Sequence, residues 1–228
     1  MERCPYLLYT FVMLASSGDR QLLIDFFCTG QHLTFSKNEY IIGPDEAPRG
    51  VYYIESGLVK SFDITKYGEE NLLVIRKEGE FMGLTWVITG QSKNIVSTAL
   101  APTSVWLVSR ERFIDFMTHH PEASAPIIDT LANMYRLHGE RIMTLEYRTV
   151  RERLASFLLT MASRFGTDSS QGVTINVPLK QQDIASSISA TRETTSRSLA
   201  LMQQQGLISV KQSIMTICDP TGLAHIID

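Results

Sequence analysis

Short apolar runs separated by glycines occupy residues 30–115 and predict a β-rich domain. Val51–Ile54 and Leu58–Phe62 are rich in valine, tyrosine, isoleucine and phenylalanine, and Gly57 lies between them. Leu72–Ile75 is a further run of the same kind. Strand-like segments at this regular spacing, with turn residues between them, are typical of a β-sandwich or barrel.

From Pro121 the apolar period lengthens and indicates a long helix. Apolar positions then recur about every 3.5 residues, the spacing of a helix that pairs with another helix. The stripe could pack only against the β-domain of its own chain, but a helix this long has more apolar surface than one such contact covers. We therefore expect a symmetric homodimer through residues 121–146. The stripe consists of Ile127, Leu131, Met134, His138, Ile142 and Leu145.

The last third of the chain follows the order of a winged helix-turn-helix. Val150–Phe165 is amphipathic at helical spacing, residues 166–172 are typical of a loop, and Val173–Val177 alternates like a strand. Two short helical patterns follow, and then two β-like segments at Leu207–Val210 and Ser213–Cys218. Helix, strand, helix, turn, helix and β-hairpin is the order found in winged DNA-binding domains.

Composition is that of an ordinary globular protein, with 44% hydrophobic and 20% charged residues. The three cysteines are far apart, which favours a reduced, cytoplasmic setting over a disulfide framework or a zinc ribbon. Residues 1–146 carry 13 Lys and Arg against 18 Asp and Glu, whereas residues 147–228 carry 8 against 6. The half with the winged pattern is thus the less acidic one, which agrees with a nucleic-acid partner.

An apolar run at Tyr6–Ala15 could be mistaken for a targeting segment. It follows Glu2 as well as Arg3, and it is too short to cross a bilayer. We expect an N-terminal helix that packs on the body of the protein, and no membrane partner.

The strongest candidate chemistry is at residues 190–197, where Arg192, Glu193 and Arg197 would share one side of a helix capped by Thr191. Arginine can donate two hydrogen bonds to guanine, and glutamate can accept one from cytosine. An exposed helix with a Glu193–Arg197 ion pair would be the purely structural alternative. The flanking helix and wing favour DNA recognition. The opposite face would pack on the preceding helix through Thr195, Leu199 and Met202.

These segments resemble the CRP/FNR superfamily of bacterial transcription regulators, from about Leu22 to Ile217. The motifs that carry the resemblance are Leu179–Ala185, Thr191–Arg197 and Leu207-Ile208. The resemblance implies an α+β chain: a double-stranded β-helix (jelly-roll) sensor domain, a dimerisation helix and a winged helix-turn-helix, at residues 1–120, 121–146 and 147–228. It also implies a homodimer on near-palindromic DNA with TGTGA-like half-sites, and RNA polymerase as a partner.

The resemblance extends to single DNA-contacting positions. Arg192, Glu193 and Arg197 match the three base-contacting residues, and Gln182 matches a position that contacts the DNA backbone. Ser189 replaces a glycine that the family often has in the turn. The full candidate set is Arg192, Glu193, Arg197, Ser196, Thr191, Thr194, Gln182 and Lys180.

The sensor domain departs from relatives that bind cyclic nucleotides. Gly83 matches their phosphate cassette, but Leu84 replaces its glutamate and Lys93-Asn94 replace its Arg-Ser/Thr pair. Lysine cannot supply the planar fork of arginine. His138-Gly139 also replaces the Thr-Ser pair of cyclic-AMP binders. We therefore expect the effector not to be cyclic AMP.

Other effectors differ in the ligands they require. An iron–sulfur cluster needs about four cysteines, more than this chain has. Haem needs an axial ligand, for which His138 is the best candidate, and no cofactor is clearly implied. Residues 89–103 are similar to the halorespiration branch, whose regulators sense a chlorinated hydroxyphenyl acid. An aromatic acid could be held by Gly83, Leu84, Thr85, Trp86, Lys93, Asn94, Met134, Tyr135 and His138.

Two other classes of protein share parts of this pattern. A cupin-type metal enzyme has a similar β-architecture, but it needs two or three clustered histidines with a carboxylate. No predicted strand here carries two histidines. A scaffold with a decayed winged domain would have no reason to retain Arg192, Glu193 and Arg197. We expect a regulator, not an enzyme.

Overall fold

The structure, a computed structural model, describes residues 14–91 and 94–227. The described residues form two compact units, an N-terminal one that ends at Leu137 and a C-terminal one that begins at His138. The predicted helix at Tyr6–Ala15 falls largely outside the described residues.

The N-terminal unit is built on two four-stranded antiparallel sheets, with strand orders β1-β8-β3-β6 and β2-β7-β4-β5. This confirms the predicted β-rich domain. Its elements are α1 (Ser17–Cys28), β1 (Gln31–Phe35), β2 (Tyr40–Ile42), β3 (Val51–Ser56), β4 (Leu58–Ile64), β5 (Glu70–Lys77), β6 (Phe81–Met82), α2 (Leu84–Thr89), β7 (Ile95–Ala99), β8 (Thr103–Val108) and α3 (Arg110–His119). A 3-10 turn, Pro121–Ala123, leads into the long helix α4 (Ser124–Tyr147).

Two apolar clusters form the core of this unit. One joins strands of both sheets and includes Tyr52, Val59 and Ala99. The other packs α1, α2 and α3 against strand residues and includes Phe27 and Phe113. Residues 30–115 are therefore not all β. The short helix α2 and the start of α3 were missed, because their few buried residues also fit a strand pattern.

Helix α4 is tied to the beginning of the described chain by one carboxylate. Asp129 accepts hydrogen bonds from the backbone N–H groups of Leu14 and Ala15, at 2.9 and 3.0 Å. Arg20 Nη2 lies 3.2 Å from the same carboxylate. The two backbone hydrogen bonds lower the pKa of the Asp129 carboxyl from its ordinary value.

The exposed apolar face of α4 begins one residue later than the predicted stripe, at Ile128 and not at Ile127. Ile127 is only 4% exposed, because it packs into the core of its own unit. Ile128, Tyr135 and Ile142 are instead 48%, 82% and 62% exposed. These three residues are seven apart, so they share one face of the helix.

The C-terminal unit contains the predicted winged arrangement. Its elements after α4 are α5 (Val150–Phe165), β9 (Gly166–Ser169), β10 (Gly172–Ile175), α6 (Gln181–Ser187), α7 (Arg192–Gln204), β11 (Ile208–Lys211), β12 (Ile214–Ile217) and α8 (Pro220–Ala224). The strands form one antiparallel sheet in the order β11-β12-β10-β9. The predicted loop at residues 166–172 is wrong in its first half, because residues 166–169 pair with β10 as a strand. Its polar residues favoured a loop, but strand pairing depends on a neighbour that local composition does not reveal.

The turn between α6 and α7 places Ser189 in the left-handed backbone region, with φ of 49°. This conformation costs an L-residue about 1–2 kcal/mol and costs glycine little. We expect Ser189→Gly to raise the free energy of unfolding by about 0.5–1 kcal/mol, after the entropy lost by glycine is deducted. Urea denaturation tests this, with Ser189→Ala as the control that keeps the strain. Equal stability of the two variants would contradict the expectation.

Candidate nucleic-acid interface

Helix α7, the predicted recognition helix, begins at a well-formed cap. Thr191 Oγ1 accepts a hydrogen bond from the Thr194 backbone N–H at 3.1 Å. Thr195 Oγ1 donates to the Thr191 carbonyl at 2.9 Å. The first bond satisfies an N–H group that has no acceptor within the helix, and the second adds to the backbone hydrogen bond that the Thr191 carbonyl already accepts from Thr195. They fix the start of α7 directly before Arg192.

The two faces of α7 differ as the sequence indicates. Thr195, Leu199 and Met202 are at most 3% exposed. Helix α6 packs against α7, and its Ile184 and Ile188 are likewise buried. The side chains available to a partner are Arg192, Glu193 and Arg197, which are exposed, with Ser196 and Thr194 half-buried beside them.

Two further candidates lie at the start of α6. Lys180 and Gln182 are exposed, while the neighbouring Asp183 is buried. Asp183 Oδ2 accepts a hydrogen bond from the Lys180 backbone N–H at 3.3 Å, so the carboxylate caps the helix. The N-terminal end of α6 thus exposes two of the predicted DNA-contacting residues, Lys180 and Gln182.

The hairpin of β11 and β12 adds a third candidate contact surface. Its tip residues Gln212 and Ser213 have φ of 49° and 67°, as in the two-residue turns that match strand twist. Lys211, at the base of this turn, is exposed. It is a candidate phosphate contact that the sequence did not single out, because an isolated lysine carries no distinctive signal.

Sequence reasoning also missed two arginines of α5 that contact the recognition motif. Arg153 Nη1 donates to the Ile188 carbonyl at 2.8 Å. Arg151 Nη2 donates to Gln205 Oε1 at 2.7 Å. Charged residues on an amphipathic helix normally indicate only a solvent-facing side, so no pattern in the sequence would have identified them.

The predicted effector residues around α2 are partly brought together. Gly83 precedes α2 with φ of 82°, and a Cβ there would lie 2.3 Å from the Gly50 carbonyl oxygen. Leu84 is 3% exposed within the core, and Trp86 packs against the same cluster. Thr85 is exposed. The position of the cassette glutamate is thus occupied by a buried aliphatic side chain.

The other predicted effector residues are not gathered at that place. Lys93 lies outside the described residues. Asn94 Nδ2 donates to Asp45 Oδ1 at 3.4 Å. Along α4, Met134 is half-buried, Tyr135 is 82% exposed, and His138 is exposed and belongs to the C-terminal unit. The expectation of haem ligation by His138 stays a prediction.

A polar group between the two sheets of the N-terminal unit was not anticipated. Ser61 and Ser97 are each 2% exposed and lie opposite each other on β4 and β7, with their hydroxyl oxygens 2.9 Å apart. Arg76 Nη1 donates to Ser61 Oγ at 3.0 Å. Val59 and Ala99 of the core lie on the same sheet face, two residues along each strand. Arg76 thus contacts a buried pair of hydroxyl groups whose neighbours on the same sheet face are apolar.

Residues 14–91 and 94–227 contain neither a candidate metal cluster nor a candidate membrane-spanning helix. Within this part of the chain, no group of three His, Cys, Asp or Glu residues is placed to hold a metal ion. No helix described there is both long and apolar enough to cross a membrane.

A β-rich domain, a long helix and a winged helix-turn-helix that exposes charged side chains on one helix are the architecture of a transcription regulator. Residues 32–120 match the family described as cyclic nucleotide-binding domain, and residues 152–226 match the Crp-like helix-turn-helix domain. The chain is 30% identical over 194 residues to the global nitrogen regulator of Nostoc sp., covering 84% of this chain and 87% of that protein. The chain therefore belongs to the CRP/FNR superfamily of transcription regulators.

Solved structures share the fold at lower identity. A CooA mutant from Carboxydothermus hydrogenoformans has a TM-score of 0.74 at 21% identity and covers 90% of each chain. OCPA-complexed CprK has a TM-score of 0.70 at 19% identity, covering 90% of this chain and 93% of that one. The predicted fold class and the expected regulator family are thus confirmed.

Proposed function

We propose that the protein binds near-palindromic DNA as a homodimer, with TGTGA-like half-sites, and regulates transcription in response to a small molecule. The observation that carries this is the recognition helix. Arg192, Glu193 and Arg197 are exposed together on α7, while its opposite face is buried. These side chains can distinguish G·C pairs in the major groove. RNA polymerase is the further partner expected of such a regulator.

The exposed face of α4 supports the dimer. Ile128, Tyr135 and Ile142 occupy one heptad position, and Leu131, His138 and Leu145 occupy the position three residues later. Two copies of α4 in parallel would bury this seam. A two-fold dimer presents two recognition helices about 34 Å apart, one turn of DNA.

The proposed mechanism is allosteric. Effector binding to the sensor domain shifts the junction at residues 146–150, between α4 and α5, and so changes how the two winged domains meet DNA. The effector acts only through its different affinities for the two arrangements.

The DNA-binding proposal is tested by fluorescence anisotropy with a labelled TGTGA-type palindrome and a scrambled duplex of equal length. We expect the palindrome to bind at least about 1,000-fold more tightly than the scrambled duplex when the active state is populated. Equal affinity for both duplexes, with and without candidate effectors, would contradict the proposal.

We further propose that the effector is a small aromatic acid and not cyclic AMP. Leu84 offers no acceptor for a ribose hydroxyl, whereas Arg76 extends into the β-roll, where a carboxylate could replace or share its contact with Ser61. The solved neighbour CprK was determined as an OCPA complex. Trp86, half-buried beside the core of the same unit, supplies aromatic surface.

Differential scanning fluorimetry with aromatic acids, cyclic nucleotides and haem tests this proposal. A ligand at 100 times its Kd stabilises a two-state domain by about 2.7 kcal/mol, or several degrees in Tm. We expect such a shift with an aromatic acid, a smaller shift in Arg76→Met, and none with cyclic AMP. A shift with cyclic AMP or haem alone would reject the aromatic acid.

A further inference from the structure

The first turns of α5 hold both ends of the recognition helix. Helix α5 begins directly after the α4–α5 junction, and its arginines at positions 151 and 153 face the helix-turn-helix. Arg153 reaches the turn that precedes α7, and Arg151 reaches the residue that follows it. All of these residues belong to the C-terminal unit.

Arg153 connects three backbone positions through one guanidinium group. Its Nε donates to the Arg148 carbonyl, between α4 and α5, at 3.0 Å. Its Nη1 donates to the carbonyls of Ile188 at 2.8 Å and Ser189 at 3.3 Å. Carbonyl groups at the end of a helix lack helical donors and carry partial negative charge, so a cation binds them well. The junction and the recognition turn are thus joined through a single side chain.

Arg151 provides the second point of attachment. Its Nη2 donates to Gln205 Oε1 at 2.7 Å, and Gln205 is the C-cap residue that directly follows α7.

Contacts at both ends of a helix have a different effect from contacts in its middle. Helix α7 has 13 residues, so its ends are about 20 Å apart. The buried face through Thr195, Leu199 and Met202 holds α7 against the domain, but apolar contact is non-directional. Hydrogen bonds at two separated points are directional and restrict tilt.

We propose that Arg151 and Arg153 are positioning residues, which fix the orientation of α7 on α5 so that movement of the α4–α5 junction moves the recognition helix as one body. The inference rests on the proposed DNA-binding function. Neither arginine needs to contact DNA for this role. Their loss should therefore weaken discrimination between DNA sequences more than it weakens general attraction to phosphates.

The test compares Arg153→Met and Arg153→Lys with wild type on a cognate palindrome and a scrambled duplex, at one salt concentration. Both variants should lose about tenfold or more of the ratio between the two affinities, because base contacts require the correct helix orientation. Affinity for the scrambled duplex, which depends on phosphates, should change by less than about threefold. Arg164→Met removes the same charge from the far end of α5 and should leave the ratio unchanged.

A double-mutant cycle tests Arg151 separately. Arg151→Met and Gln205→Met should each lower the ratio of cognate to scrambled affinity. The double variant should have the same ratio as Arg151→Met alone, because the two substitutions remove the same hydrogen bond. Each affinity is calculated from the concentration of folded dimer, which circular dichroism and light scattering determine. A loss of stability alone therefore does not change it.

The outcomes separate two kinds of failure. If wild type does not discriminate between the duplexes, the proposed function is wrong and the positioning role falls with it. If wild type discriminates and every arginine variant does so equally, only the positioning role is wrong. An Arg153→Met variant that fails to fold leaves the decision to Arg153→Lys and to the Arg151 cycle.

Discussion

Ile142→Arg is expected to convert the dimer into a monomer at micromolar concentration and to weaken binding to a full palindrome at least about 100-fold. The side chain is 62% exposed in the single chain, on the helix face where two copies would pair. In the dimer, two arginines would face each other across the two-fold axis, in a site that excludes water. The cost is that of burying unpaired like charges.

The expected effect on DNA is larger than the effect on any one base contact. A dimer engages two half-sites, and the second contact forms at the high effective concentration set by the first. A monomer keeps Arg192, Glu193 and Arg197 but loses this advantage. Binding to an isolated half-site should therefore be unchanged in the variant.

A neighbouring residue supplies the matched control. Met143 is 58% exposed on the same helix, but it lies one residue outside the proposed seam. Met143→Arg adds the same charge and removes a similar apolar side chain. Light scattering should show a dimer for Met143→Arg and a monomer for Ile142→Arg. The reverse result would place the dimer contact on another face of α4.

The register of the seam also predicts an ion pair between copies. When Ile128, Tyr135 and Ile142 occupy the first heptad position, Arg141 and Glu146 fall on the two positions that flank the seam. In a parallel pair, Arg141 of one copy faces Glu146 of the other, five residues further along. Such pairs favour one register over others, although each contributes little energy.

The residues that form the seam could not be identified from the sequence alone. The helical period of α4 was visible, but Ile127 and Ile128 are adjacent and both apolar, and either could begin a stripe. Only the core of the N-terminal unit, which buries Ile127, decides which of them stays exposed. The same limit applies to β9, whose polar residues become a strand because β10 lies beside them.

Local chemistry explains why the recognition helix could be predicted. A capping threonine, a buried apolar face and three charged residues lie within thirteen consecutive positions, so no distant partner is needed to specify them. The effector residues depend on distant segments, and the structure places Asn94 against Asp45 and leaves Tyr135 exposed. The interior Arg76 was missed for the same reason, since its role depends on Ser61 from another strand.

Arg192→Ala is expected to lose about 1–3 kcal/mol of binding free energy at one base pair and to relax sequence preference there. Arg192 is exposed in the first turn of α7, directly after a cap that fixes its backbone. Its loss removes a bidentate contact and leaves guanine acceptors unpaired in the interface. Measuring affinity for all four base pairs at each half-site position locates the effect.

Lys211→Ala separates base recognition from phosphate contact. This exposed lysine of the wing should weaken binding to every sequence by a similar factor and lower the salt dependence of log K by about one per half-site. Arg192→Ala should instead flatten the preference at one position. If Arg192→Ala weakens all sequences equally, as Lys211→Ala does, then Arg192 is a phosphate contact, and sequence specificity must come from Glu193, Arg197 and DNA shape.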